Sequence, residues 1–244
     1  MSDARRLLAE ALTPRSMTNY FRQPLAEESI VIRGTDSLVV LAPERTFHRL
    51  YFVTRNIDEL GALLREITPG REVVIEQVHH EDDPLAHTFT SAGYEQIARY
   101  QRMWNRDMRT APADGRFTLA TAKDLAEIDA LLVTVFDPRT DHLPDIHGLA
   151  EREIIIRRID GRLCGFIAFV VEGAVANFNY IYSDCGDPSI TSAMIDTFYA
   201  LARERGARRT FLWVDDRKPG VIRLYEGFGW RADGLRASYY RKAA

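Results

Sequence analysis

A chain of 244 residues can hold one large domain or two small ones, and 46% hydrophobic with 27% charged residues is an ordinary globular balance. A formal net charge of -3 supplies no basic field for nucleic acid, and two cysteines, Cys164 and Cys185, argue against a disulfide framework. No apolar run reaches the ~20 residues of a membrane helix, and the acid-bearing start lacks a signal peptide's apolar core, so the expected location is cytoplasmic.

Residues 3–12 place Leu7, Leu8, Ala11 and Leu12 at helical spacing, and Thr13-Pro14 ends that helix. A second short helix is expected over 16–28. Three short β-branched or apolar runs follow at 29–33, 37–41 and 50–54, the first two joined by a hairpin at Gly34-Thr-Asp36. Asn56 reads as the N-cap of a helix over 57–67, stopped by Pro69-Gly70. A strand over 72–78, a short helix from Asp83-Pro84 to Ala92 with Gly93 as its stop, and a strand over 95–106 complete the first half. Thr110-Ala-Pro-Ala-Asp-Gly115 is the one linker-like segment.

After it the order restarts: a strand at 117–120, a helix over 124–136, an irregular loop over 137–148, and three strands at 154–159, 163–171 and 175–182. A helix spans 188–203, with Ile190, Met194, Ile195, Phe198 and Leu201 on one face and Gly206 beyond its end. A strand at 210–214, a helix at 219–228 and a strand at 232–241 close the chain. The halves share this order, and the end of Pro84–Tyr94 can be laid beside that of Pro219–Trp230, both closing on a glycine and an aromatic. That points to a duplication, with domains at 1–109 and 116–244 and a linker at 110–115.

The stretch from Arg209 to Trp230 reads as a buried strand, a helix carrying Leu224-Tyr225-Glu226, and a Gly229-Trp230 stop. It resembles the closing third of the GCN5-related N-acetyltransferase (GNAT) fold, whose Leu-Tyr-Glu-x-x-Gly-Phe pattern carries a tyrosine acting as general acid. The resemblance implies an α+β fold of two GNAT-like domains, each a mixed, mostly antiparallel sheet flanked by helices. It also implies acetyl-CoA or another acyl-CoA as cosubstrate. The pantetheine arm would lie between the strands at 175–182 and 210–214, which splay apart, and the following helix would point its N-terminus at the pyrophosphate.

Residues carried over for that site are Tyr182, Ser183, Gly186, Ser189, Ile190 and Thr191. The chain departs from the family's Arg/Gln-x-x-Gly-x-Gly/Ala at this point, reading Gly186-Asp-Pro-Ser-Ile-Thr191. Asp187 adds negative charge and Pro188 removes an N–H; the hydroxyls of Ser189, Thr191 and Ser192 suit either phosphate or plain helix capping. In the first half the matching turn, 54–58, has no glycine and Phe89 stands at the tyrosine position. That half is expected to be non-catalytic.

Acyl transfer to an amine needs an oxyanion site, a proton for the leaving thiolate and a neutral nucleophile. Tyr225 is the expected acid; Asp184 and Asp215, at strand ends, are the candidate bases, with Asp216 beside them. Asn177 and Asn179 are expected to share a strand face with Ile181 and Ser183. Cys185, at a helix start without a histidine partner, reads as unreactive. The Asp141-His142, Asp145-x-His147 and His79-His80 clusters match no zinc spacing, so no metal is expected. The implied activity moves an acyl group from acyl-CoA, or from a thioester on an acyl carrier protein, to an amine of a small molecule or peptide. The alternative is a non-catalytic protein of the same fold that binds a small molecule or a protein partner.

Overall fold

The structure is a computed structural model that describes residues 3–20, 25–68, 70–110, 112–185 and 187–244. It divides into two compact units, Met1–Tyr100 with Gly234–Ala244, and Gln101–Asp233.

The first unit begins with α1 (Asp3–Ala11), β1 (Met17–Thr18), β2 (Ile30–Arg33), β3 (Ser37–Pro43), β4 (His48–Thr54), α2 (Ile57–Glu66), β5 (Val73–His80) and α3 (Ala86–Ser91). It continues into β6 (Glu95–Asn105), which crosses the boundary at Tyr100. β2, β3 and β4 are antiparallel neighbours, and β4 runs parallel to β5. Asn56 caps α2 as expected, its Oδ1 accepting from the N–H groups of Asp58 and Glu59 at 3.1 Å. Leu60 and Leu64 of α2 and Phe89 of α3 bury against Val39, Phe52 and Ile75 on one sheet face. Leu8 of α1 covers Val40, Tyr51 and Val53 on the other. The helix expected over 16–28 gives way to β1, which pairs antiparallel with β4, and 21–24 lie outside the described residues. Thr18 and Asn19 spend their side chains on backbone groups of the sheet, a competitor to helix that local periodicity cannot register.

The second unit contains β7 (Thr118–Leu119), α4 (Leu125–Val135), α5 (Pro138–Asp141), α6 (Ile146–Ala150), β8 (Glu153–Ile159), β9 (Arg162–Glu172), β10 (Val175–Ser183), α7 (Pro188–Glu204), β11 (Arg209–Asp215), α8 (Pro219–Gly227) and the start of β12 (Arg231–Lys242). Its strand order is β11-β10-β9-β8-β7, antiparallel except for the parallel pair β10–β11, with the Gln101–Asn105 end of β6 beside β11. The loop expected over 137–148 contains two capped turns of helix: Asp137 Oδ1 accepts from Arg139 N–H, and Asp145 Oδ1 from Gly148 N–H. Phe178, Tyr225 and Trp230 pack with Met194, Phe198 and Tyr199 of α7 on one sheet face. Ile128, Leu132 and Leu149 cover Phe166 and Tyr180 on the other.

The fold is α+β, a mixed and largely antiparallel architecture with flanking helices. The division differs from the expected 110–115 linker, which lies inside the second unit, where Asp114 N–H donates to Thr197 Oγ1 at 3.1 Å. The chain's end belongs to the first unit, because Leu235–Lys242 of β12 pair antiparallel with Val73–His80 of β5. The repeat seen in the sequence has a structural counterpart at the two glycines. Gly93 (φ 85°) and Gly229 (φ 95°) both adopt the left-handed region after a short helix. Tyr94 N–H then donates to Phe89 O at 3.0 Å, and Trp230 N–H to Tyr225 O at 3.1 Å.

Candidate active site

β10 and β11 pair over only three positions, Val175 with Arg209, Ala176 with Thr210 and Asn177 with Phe211. Beyond these, Phe178–Ser183 and Leu212–Asp215 are not paired to each other. The cause is visible on the far side of β10, where the register with β9 shifts between Phe178 and Tyr180. A bulge adds one residue, bends the strand and sharpens its twist, which swings the C-terminal half of β10 away from its neighbour. The result is a wedge lined by main-chain amides that a strand pair would otherwise satisfy.

The same bulge corrects the expected face of β10. Phe178 and Ile181 both lie on the α7 side, whereas Tyr180 and Tyr182 lie on the α4 side, so Asn177, Asn179, Ile181 and Ser183 do not form a single row. Asn179 Oδ1 accepts from Arg152 at 3.0 Å. Tyr180 Oη donates to the carbonyls of Asp141 and His142 at 2.9 and 2.8 Å, tying the α5 turn to the strand.

Tyr225 is 4% exposed, its ring edge-on to Phe178 at 6.0 Å and to Trp230 at 5.5 Å. Burial pushes the phenol well above its usual range, so it stays protonated. Phe178, the ring's neighbour, lies on β10 where pairing with β11 has just ended.

The two expected bases are both salted. Asp184 is exposed and paired with Arg162 at 3.1 Å. Asp215 is buried; desolvation alone would raise its carboxyl, but hydrogen bonds from the Arg217 guanidinium and N–H outweigh that and hold it below the usual carboxylate range. A carboxylate so stabilised is a weak proton acceptor. Asp137, N-cap of α5, is held down in the same way by Arg139, with Arg217 also lowering it.

At the start of α7, Asp187 is the N-cap, its Oδ1 accepting from Ser189 N–H at 2.8 Å and its Oδ2 from Ser189 Oγ at 2.7 Å. Those bonds keep the Asp187 carboxyl ionised and low. Thr191 Oγ1 donates to Ser183 Oγ at 2.9 Å, linking helix to strand end. Ile190 points into the core, the Tyr182 ring lies tilted against Phe166, and Gly186 lies outside the described residues. Of the expected set, Ser183, Ser189 and Thr191 therefore stand together at the helix start, around a carboxylate of the chain's own. The start of α7 thus carries a negative charge of its own beside its first N–H.

Cys164 and Cys185 are joined as a disulfide, their Cα atoms 5.1 Å apart, although two cysteines argued against a disulfide framework. Asp184 N–H donates to Cys164 O at 2.7 Å, and this bond brings the residue after β10 over β9. Spacing along the chain gave no sign of that closure. Among the described residues no cluster of three histidine, cysteine or acidic side chains is placed to hold a metal, and no helix is long and apolar enough to cross a membrane.

No family model matches the chain, and no curated protein is similar to it in sequence. Solved structures are. A GCN5-related N-acetyltransferase from Kribbella flavida superposes with a TM-score of 0.60 at 17% identity, over 100% of this chain and 97% of its own. A tandem GNAT protein from the clavulanic acid biosynthesis pathway gives 0.59 at 11% identity, over 100% and 88%. A GCN5-related N-acetyltransferase from Sphaerobacter thermophilus gives 0.55 at 15% identity, over 86% and 81%. With the wedge between β10 and β11, the bulge that opens it and the tyrosine helix beside it, this likeness establishes that the chain has the GNAT fold in tandem.

Proposed function

We propose that the second unit transfers an acyl group from a pantetheine thioester to an amine. The observation that carries this reading is the pairing of β10 and β11 over three positions and no further. The main-chain groups of Phe178–Ser183 that face away from β9 are the right partners for the secondary amides of a pantetheine arm, and one N–H among them supplies the oxyanion donor. The amine nitrogen attacks the thioester carbonyl; the C–N bond forms, the C–S bond breaks, and the thiolate takes a proton from Tyr225. The phenol is restored by the proton the nitrogen gives up. A phenol pushed up by burial holds its proton before the reaction, so Tyr225 starts in the donor form that this step requires. Titration calorimetry with acetyl-CoA and longer acyl-CoAs tests the reading; absence of binding to any of them removes it, provided a carrier-bound thioester is also inert.

That proviso follows from Asp187. With the Asp187 carboxylate on the Ser189 N–H at the start of α7, a donor lacking the nucleotide end loses little. A phosphopantetheine thioester on an acyl carrier protein is therefore the second reading for the donor. Comparing transfer from free acyl-CoA and from a loaded carrier separates the two. A protein that binds but turns over neither donor is a non-catalytic member of the same fold.

A further inference from the structure

The turn that leaves β10 for α7 is fastened to β9 at several points. Ser183, the last residue of β10, pairs with Gly165. Asp184 N–H donates to Cys164 O at 2.7 Å, and the Asp184 carboxylate meets Arg162 at 3.1 Å. Thr191 Oγ1 reaches back from α7 to Ser183 Oγ at 2.9 Å. The Cys164–Cys185 bond is the covalent member of this set. Gly165 gives it room: a Cβ there would lie 3.2 Å from Tyr182 O and 3.4 Å from Cys185 Sγ, a crowding that the bare backbone avoids.

The two sulfurs are not equivalent. Cys164 is 0% exposed inside β9, whereas Cys185 is only partly buried, at the margin of the core beneath α7. A disulfide opens when a thiolate attacks a sulfur it can reach, and here that sulfur is Cys185 Sγ. The helix does not depend on the bond for its place, since Met194, Ile195 and Phe198 anchor it in the core. Opening therefore frees the turn and leaves the fold standing.

We propose that Cys164–Cys185 is a thiol-exchange site for small dithiols, attacked at Cys185, and that it serves as a releasable latch on the turn between β10 and α7. A thiolate of the dithiol forms a bond to Cys185 Sγ, the Sγ–Sγ bond breaks, and Cys164 leaves as a thiolate that takes up a proton. The second thiol of the reagent then attacks the mixed disulfide. Cys185 is released as a thiol, the reagent is oxidised to its cyclic disulfide, and the protein pair is reduced by two electrons. None of this involves acyl transfer, so the proposal stands apart from the function assigned to the second unit.

The test uses the folded full chain and dithiothreitol without denaturant. The bond should open, and iodoacetamide added next should label Cys185 about tenfold faster than Cys164, by peptide mass mapping. Residue-resolved amide exchange should then show the Asp184 amide about tenfold faster than in the oxidised protein, the effect of releasing one hydrogen bond, with β8 unchanged. A bond that opens only in denaturant, or labelling led by Cys164, overturns the exchange site. An unchanged Asp184 amide, or loss of protection throughout the unit, overturns the latch. As a second route, Cys164→Ala leaves Cys185 as a single thiol. Hydroxyethyl disulfide should add one hydroxyethylthio group to Cys185 in the folded variant, and no addition overturns its accessibility. If Cys164→Ala does not fold, the wild-type experiment decides alone.

Discussion

Tyr225 shows how one side chain serves packing and chemistry together. Its ring belongs to a cluster with Phe178, Phe198 and Trp230, so Tyr225→Phe keeps the core and removes only the hydroxyl. Turnover should fall about 10²-fold, within the usual range for losing a general acid, while affinity for the acyl donor is unchanged; unchanged turnover ends the assigned role. Because burial raises the phenol, its deprotonation lies above the ordinary value of about 10, and the rate profile should show no alkaline fall from this group below that pH. Trp230 is a different case, wholly buried with Tyr199 stacked at 5.1 Å. Trp230→Ala should cost about 3–5 kcal/mol, measured by denaturant unfolding. Asp215 gives a pH signature whose sign is set by Arg217. Its folded pKa is depressed, so the stability it contributes is complete above the unfolded value of about 3.9 and is lost as pH falls through the folded one. Thermal melts below about pH 4 should therefore decline more steeply for wild type than for Asp215→Asn.

Among the elements, α7 carries the test of the proposed donor. Its first turn is satisfied by Asp187, and Asp187→Gly keeps a tolerated N-cap residue while removing the charge. Affinity for acyl-CoA should rise about two- to fivefold at low salt, the size of a single charge at a helix N-terminus, by calorimetry; no rise would mean that the nucleotide end does not approach α7. This helix, with its Pro188 start, was legible from spacing alone, and so were the Asn56 cap and the Gly93 and Gly229 stops, because each depends on residues a few positions apart. The wedge was legible only through the resemblance. The bulge that makes it sits between Phe178 and Tyr180, in an alternation of apolar and polar residues that nothing local interrupts. The Cys164–Cys185 pairing and β1 were missed for the same reason: both are set by partners far along the chain, β1 by a register with Thr54 and Val53 that a two-residue run cannot announce.

Over the whole molecule, the sequence order of the two halves and the division into units do not coincide. Tyr240 fills the core of the first unit beside Phe89 at 4.9 Å, and Tyr239 Oη donates to Glu76 at 3.0 Å, so β12 is an interior strand there. Ending the chain at Asp233 should abolish amide protection over Val73–His80 while leaving that of β8 and β9 within the second unit; equal loss in both would contradict the division.

This placement of β12 has a consequence for synthesis. The residues that complete the first unit leave the ribosome only after the whole of the second, so until then β5 offers a bare strand edge to its surroundings. The half begun first waits for the other to be made. A nascent chain stalled or clipped near its end would display that edge to other chains, and aggregation of truncated product, rather than loss of full-length protein, is where the cost of this topology would be felt.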